Sequence, residues 1–217
     1  MRGRSSTDAL SLAIRAAVTL GAALLVGLAG CRPGPLEVRE AQPVLREFAN
    51  ALRSQDEARL RVLATCVVEA AGVLDARLRY VEPPGEIRRA ALDSLATLYG
   101  NAHRMADSLY TTAPDSVADL ESRFDRTRSL ARRAATTRAA LHAAERSAAA
   151  TSVPSGDSGR EALRTLRAHL MVRYGGDGVG PAPIERDTIV RLIRAPGGAW
   201  VVYAFDLASD APGPLPY

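Results

Sequence analysis

The most reactive side chains in this 217-residue chain belong to two cysteines, Cys31 and Cys66. Cys31 closes an uncharged run that starts at Ala16 and reads AAVTLGAALLVGLAGC. Arginines precede the run and small residues end it, as in a secretory signal peptide that is cut after export. The run is also shorter than the roughly 20 apolar residues that a membrane-spanning helix needs. We therefore predict that residues 1–30 are a signal peptide and that the rest of the chain is exported.

The end of this run, Leu28-Ala29-Gly30-Cys31, resembles the lipobox of bacterial lipoproteins, in which a branched apolar residue and two small residues precede a cysteine. The resemblance covers the first 31 residues, and it assigns the mature domain to no family. It implies cleavage between Gly30 and Cys31, a diacylglyceryl thioether on Cys31, and acylation of the new amino group, for example with palmitate. Two or more acyl chains hold a protein stably on a membrane.

The resemblance therefore implies a lipid-anchored protein of the cell envelope that faces the periplasm or the exterior. Its membrane contact is the lipid on Cys31. Arg32 stands where an aspartate often signals inner-membrane retention in these families, so the outer membrane is expected where two membranes are present. The alternatives are an uncleaved anchor and a soluble secreted protein with an unmodified cysteine.

The remaining thiol and the basic residues limit the chemistry of the exported part. Lipidation of Cys31 leaves Cys66 alone, so no intramolecular disulfide can form. Cys66 lies in an apolar run that we predict to be helical, which favours a buried structural thiol over a reactive one. The chain contains no lysine, and this excludes Schiff-base chemistry and a Walker-A phosphate loop.

No other group of residues predicts a catalytic, cofactor or metal site. His103, His142 and His169 are far apart in sequence, and we expect them at the surface or between helices rather than on zinc. Residues 156–159 (GDSG) resemble the nucleophile loop of trypsin-like proteases, but Arg160 stands where that family has glycine. We therefore lean against an enzyme, and the nearly balanced charge argues against a nucleic-acid partner.

These residues are predicted to be positioned by a mainly helical fold of the α+β class. It consists of a bundle of about four helices with a C-terminal β-hairpin. Apolar spacing predicts helices near residues 41–52, 54–81, 86–110 and 115–149. In the third of these, Leu98, Met105 and Leu109 belong to a stripe typical of a helix packed lengthwise on others. The second half of the fourth helix is weakly apolar and is predicted to protrude.

The predicted organisation has six parts. They are a signal peptide (1–30), a tether (31–35), a helical bundle (36–151), a loop (152–159), a short helix plus β-hairpin packed on the bundle (160–207), and a disordered tail (208–217). The hairpin is predicted from β-branched residues 188–194, a Pro-Gly-Gly turn and aromatic residues 200–207. Arginines are dense on the fourth helix with acids interleaved, so a solvated face is favoured over contact with anionic lipid or glycan. These are Arg123, Arg126, Arg128, Arg132, Arg133, Arg138 and Arg146.

These features predict a non-catalytic binding, scaffolding or assembly module whose ligand is unknown, with an envelope protein or glycan as a possible partner. One alternative is an envelope hydrolase whose site is assembled from scattered residues. Another follows from an early amphipathic helix pair and a tryptophan-bearing late strand, which resemble the nuclear-transport-factor-2-like cone fold. That resemblance implies a small-ligand pocket near Trp200, Tyr203 and Phe205, although the long helical middle departs from the fold.

Overall fold

The computed structural model describes residues 35–110, 116–150, 161–175 and 182–207. Those from Glu37 onward belong to one compact unit. The predictions for Gly30, Cys31, the loop at 152–159 and the tail at 208–217 lie outside the described residues. The elements are α1 (Leu36–Arg53), α2 (Glu57–Leu63), β1 (Val73–Val81), β2 (Gly85–Arg88), α3 (Arg89–Tyr110), α4 (Val117–Ala149), β3 (Ala162–Tyr174), β4 (Ile184–Arg194) and β5 (Val201–Leu207).

An antiparallel sheet of five strands organises the described residues, in the order β1-β3-β4-β5. β2 pairs with the first part of β3 and β1 with the remainder, so both lie along the same edge of that strand. The predicted strands near the C terminus do pair, as β4 and β5, but within this larger sheet. The prediction of a helical bundle with a C-terminal hairpin was therefore wrong, because the sheet also takes in residues that we assigned to helices.

The largest error concerns residues 160–173. We predicted a short amphipathic helix there, with a turn to strand near Leu170 as an alternative, whereas the central strand β3 begins at Ala162. Leu163, Leu166 and Leu170 have helical spacing, yet all three are almost fully buried in the sheet. Leu163 packs in one hydrophobic cluster, whereas Leu166 and Leu170 pack in the other, on the opposite face. A strand with helices on both faces buries side chains on both, so it loses the alternation of apolar and polar residues that identifies strands.

A second error concerns the predicted helix at 54–81. α2 ends at Leu63, with Asp56 as its N-cap: the Asp56 carboxylate accepts a hydrogen bond of 2.9 Å from the Arg59 backbone N–H. Residues 73–81 form the edge strand β1 instead. Its alanine and arginine residues are good helix formers, and tertiary pairing with β3 overrides that preference.

Helix α1 covers one face of the sheet. Its apolar residues Ala41, Leu45, Phe48 and Leu52 have no exposed surface and fall on one side of the helix. Phe48 meets Phe205 of β5 edge-to-face, with ring centroids 5.6 Å apart. The helix begins earlier than its apolar stripe indicated, so Pro43 lies inside it rather than in its first turn.

The base of helix α4 covers the opposite face. Ala140, Ala143 and Ala144 are fully buried against Leu163 and neighbouring residues of β4 and β5. Their small side chains allow the helix backbone to approach the sheet closely. Ser147 fastens this end of α4 to the β4–β5 turn, because its hydroxyl donates to the Ala199 carbonyl (2.6 Å) and accepts from the Ala195 N–H (2.9 Å).

Candidate functional site

Helices α3 and α4 form a hairpin that is packed on the sheet only at its base. The buried residues of α4 all lie between positions 134 and 147. At about 1.5 Å per residue, α4 is about 50 Å long, and this buried part spans about 20 Å. We call residues 98–109 of α3 and 117–133 of α4 the arm. The prediction that the second half of α4 protrudes was wrong, because it is the first half that leaves the sheet.

The arm carries large apolar side chains on its surface. Leu98, Met105 and Leu109 of α3 are 59%, 67% and 60% exposed. They are spaced by seven and four residues, so they lie on one side of the helix, and we call them the α3 stripe. Val117 and Phe124 of α4 are also at least half exposed. Spacing of this kind is typical of a packed helix, and no described residue covers the α3 stripe.

Polar contacts between the two helices set their relative height in the arm. The Arg123 guanidinium donates to the Leu109 carbonyl at 3.1 Å and pairs with Asp119 at 2.7 Å. Farther toward the base, the Arg133 guanidinium lies over the Tyr99 ring, 5.6 Å from its centroid. These side-chain contacts place Leu109 at the height of Arg123, and Tyr99 at that of Arg133, to within about one helical turn of 5.4 Å.

Charge is unevenly distributed along α4. Residues 117–125 hold three acids, Asp119, Glu121 and Asp125, and one arginine. Residues 126–138 hold five arginines and no acid. The interleaving that we predicted is thus absent from residues 126–138, whereas acids accompany arginines in the first turns and at Glu145. Arg146, predicted on the same solvated face, instead donates to the backbone carbonyls of Val62 (2.7 Å) and Ala64 (2.8 Å) and so secures the end of α2.

A buried histidine lies at the centre of a second, charged cluster. His169 of β3 is 7% exposed, and its Nε2 is 2.8 Å from Oε1 of Glu82. On the other side of the ring, Nδ1 is 3.6 Å from Oδ1 of Asp187. Arg167 pairs with Glu82 at 3.1 Å, and the Tyr80 ring stacks on the imidazole at 4.1 Å between centroids.

Glu82, just after β1, is paired with Arg167 and His169 of β3 through charge-assisted contacts. Asp187 of β4 approaches the other side of the ring without a hydrogen bond between its Oδ1 and Nδ1 of His169. No serine, threonine or cysteine side chain in the described part of the chain is hydrogen-bonded to His169, as a nucleophile–base pair requires. The prediction that all three histidines lie at the surface or between helices was wrong for His169, because its strand was assigned to a helix. His142 does lie exposed on α4, 3.4 Å from Glu145, and His103 is partly buried on α3.

Cys66 lies in the segment after α2, not in a helix, and is partly buried. Burial raises the pKa of the Cys66 thiol from 9.0 to about 11, and the backbone and Asp206 have smaller effects. The thiol is therefore protonated at neutral pH. It borders an open cleft of about 520 Å³ between α2 and α4. A second cleft of about 580 Å³ is lined by Phe205, Tyr174 and Arg186.

Of the three aromatic residues that we placed near a pocket, Trp200 and Phe205 lie on the α1 face of the sheet and Tyr203 on the opposite face. Phe205 lines the second cleft. Trp200 is buried in the α1 cluster under the guanidinium of Arg194, 5.0 Å from the ring centroid. Tyr203 is buried on the α4 face. The three side chains therefore do not line one common pocket.

Two further observations concern the described residues alone. None of their helices is both long and apolar enough to cross a bilayer. No group of three or more histidine, cysteine, aspartate or glutamate side chains among them is arranged to hold a metal ion.

Comparisons of the chain with protein-family models, with curated proteins and with solved structures find no match.

Proposed function

We propose that this protein is a lipid-anchored module of the cell envelope that binds a protein partner through the arm and thereby supports an assembly at the membrane. The observation that carries the proposal is the exposed α3 stripe. Leu98, Met105 and Leu109 have the spacing of a buried helix face and are each more than half exposed in the single chain. Burying such side chains contributes about 25 cal/mol per Å² of apolar surface.

The lipid anchor and the arm have complementary roles in this proposal. A diacylglyceryl group on Cys31 holds the domain at the membrane without a spanning helix. The arm extends about 25 Å beyond the part of α4 that is packed on the sheet. Such a projection presents its apolar side chains to a neighbouring protein.

The anchor is tested by mass spectrometry of the full-length chain purified from its native host. We expect a first residue of Cys31 that carries a diacylglyceryl mass, and a Cys31→Ser variant that keeps residues 1–30 and carries no lipid mass. An unmodified Cys31 or an intact Met1 in the wild-type chain would contradict the anchor.

The binding surface is tested with a photo-crosslinking amino acid at Leu98 in native membranes. The matched control position is Val62 of α2, which is equally exposed at 59%. We expect a discrete protein adduct from position 98 only, lost when Met105→Ser and Leu109→Ser are added. Adducts to lipid alone, or the same adducts from both positions, would overturn the proposed surface.

A further inference from the structure

We infer that the partner of the arm is a second copy of this chain, bound with the two arms antiparallel; this inference rests on the proposed function. The argument uses two features of the arm, the position of the α3 stripe and the charge distribution along α4. In a two-fold symmetric dimer, the same patch of both copies forms the contact. The arm must therefore be complementary to itself.

The position of the stripe fixes the register of such a dimer. Its midpoint lies near residue 104 of α3, between Leu98 and Leu109. Because Leu109 is level with Arg123 and Tyr99 with Arg133, this midpoint is level with about residue 128 of α4. A two-fold axis at that height superposes the α3 stripe of one copy on that of the other. It also brings the two Met105 side chains close together.

The same axis aligns opposite charges on α4. Residues 119–125, which hold three acids and one arginine, lie alongside about residues 131–137 of the partner. Arg132 and Arg133 fall in that region, and Arg138 is adjacent to it. The boundary between the acidic and basic segments is close to the axis. Each acidic segment therefore meets the basic segment of the other copy, and this contact occurs twice in the dimer. A parallel arrangement would instead place like charges together.

An anionic membrane surface fits this pattern less well. It would attract the arginines at 126–138 but repel the acidic segment at the far end of the arm. A second copy places an opposite charge beside both the acidic and the basic segment, and it covers the α3 stripe at the same time.

The inference is tested by disulfide crosslinking of full-length Met105→Cys in native membranes. The native thiols give little background, because burial raises the pKa of Cys66 to about 11 and Cys31 is lipidated in the proposed mature chain. We expect a homodimer of twice the chain mass. Val62→Cys, on α2, is 59% exposed against 67% for Met105, so it reports the rate of random collision and should give at least tenfold less dimer.

Charge reversal distinguishes self-association from binding to another protein. Glu121→Arg with Asp125→Arg, or Arg132→Glu with Arg138→Glu, should each lower the yield of Met105→Cys dimer by about tenfold, because attractive pairs become repulsive. All four residues are exposed, so the fold should be unaffected. All four changes in one chain, or the two reversed chains mixed, should restore the yield to within about threefold of the original.

The possible outcomes separate the two proposals. If Met105→Cys crosslinks no better than Val62→Cys while the probe at Leu98 still captures another protein, self-association is overturned and the proposed function stands. If the dimer forms but the combined reversal does not rescue it, the antiparallel register is wrong. If neither experiment yields a stripe-dependent protein adduct, both proposals fail.

Discussion

The two halves of α4 place apolar residues in opposite ways. At the base, small residues such as Ala140, Ala143 and Ala144 are fully buried against the sheet. In the arm, the large residues Val117 and Phe124 are at least half exposed. Hydrophobicity alone predicts the reverse, because larger apolar side chains gain more from burial. The difference shows that close packing selects small residues at the base, and that the arm carries large apolar side chains that stay at least half exposed among the described residues.

The largest change in stability is expected for a core residue that packs beneath the base of α4. Leu163→Ala should lower the free energy of unfolding by about 2–5 kcal/mol, because it removes a fully buried side chain and leaves a cavity. Leu98→Ala in the arm should change it by less than about 0.5 kcal/mol. Urea unfolding of both variants measures the difference. Equal losses would mean that the arm is part of the folded core.

Thiol reactivity compares the same two regions. Burial raises the pKa of Cys66 from 9.0 to about 11, so its thiolate fraction near pH 8 is about 100-fold below that of an exposed thiol. Cysteine introduced as Ser129→Cys, on the exposed arm, should react with iodoacetamide faster by about that factor.

The same thiol makes stability depend on pH. The unfolded chain releases this proton near pH 9 and the folded chain near pH 11. The stability due to the protonated thiol is therefore lost as pH rises through this interval. A Cys66→Ser variant should lack that loss.

If Cys66 reacts with iodoacetamide as fast as the cysteine introduced at position 129, the segment after α2 is more open than described.

A smaller effect is expected at the link between α4 and the β4–β5 turn. Ser147→Ala removes the hydroxyl that donates to the Ala199 carbonyl and accepts from the Ala195 N–H. Both backbone groups then lose a hydrogen-bond partner. We expect a loss of about 1–3 kcal/mol in unfolding free energy. Ser129→Ala, in the exposed arm, should be nearly neutral. A neutral Ser147→Ala would show that water replaces both hydrogen bonds.

Several elements could be predicted from the sequence because their signals are local. The helix predicted at 115–149 corresponds to α4, and the one at 86–110 corresponds to α3 after its first residues join β2. β1 and β3 could not be predicted in this way. Their arginine and alanine content favours helix, and β3 buries side chains on both faces, so its identity as a strand depends on residues distant in sequence.

The candidate site shows the same division. The periodicity of Leu98, Met105 and Leu109 was visible in the sequence, but it predicted burial. Their exposure follows from where the sheet ends, which no local pattern encodes. The histidine cluster could not be found either, because Glu82, His169 and Asp187 meet only when three strands pair in register.

The sequence by itself determined the apolar run ending in Cys31, the absence of lysine, and the charge segregation along α4, because each is a property of residue composition and order alone. The tertiary structure decided which apolar stripe is covered and which is exposed. Helical spacing gives the side of a helix on which residues lie, whereas burial depends on whether another element reaches that side. In this chain the sheet reaches the base of α4 and stops short of the arm.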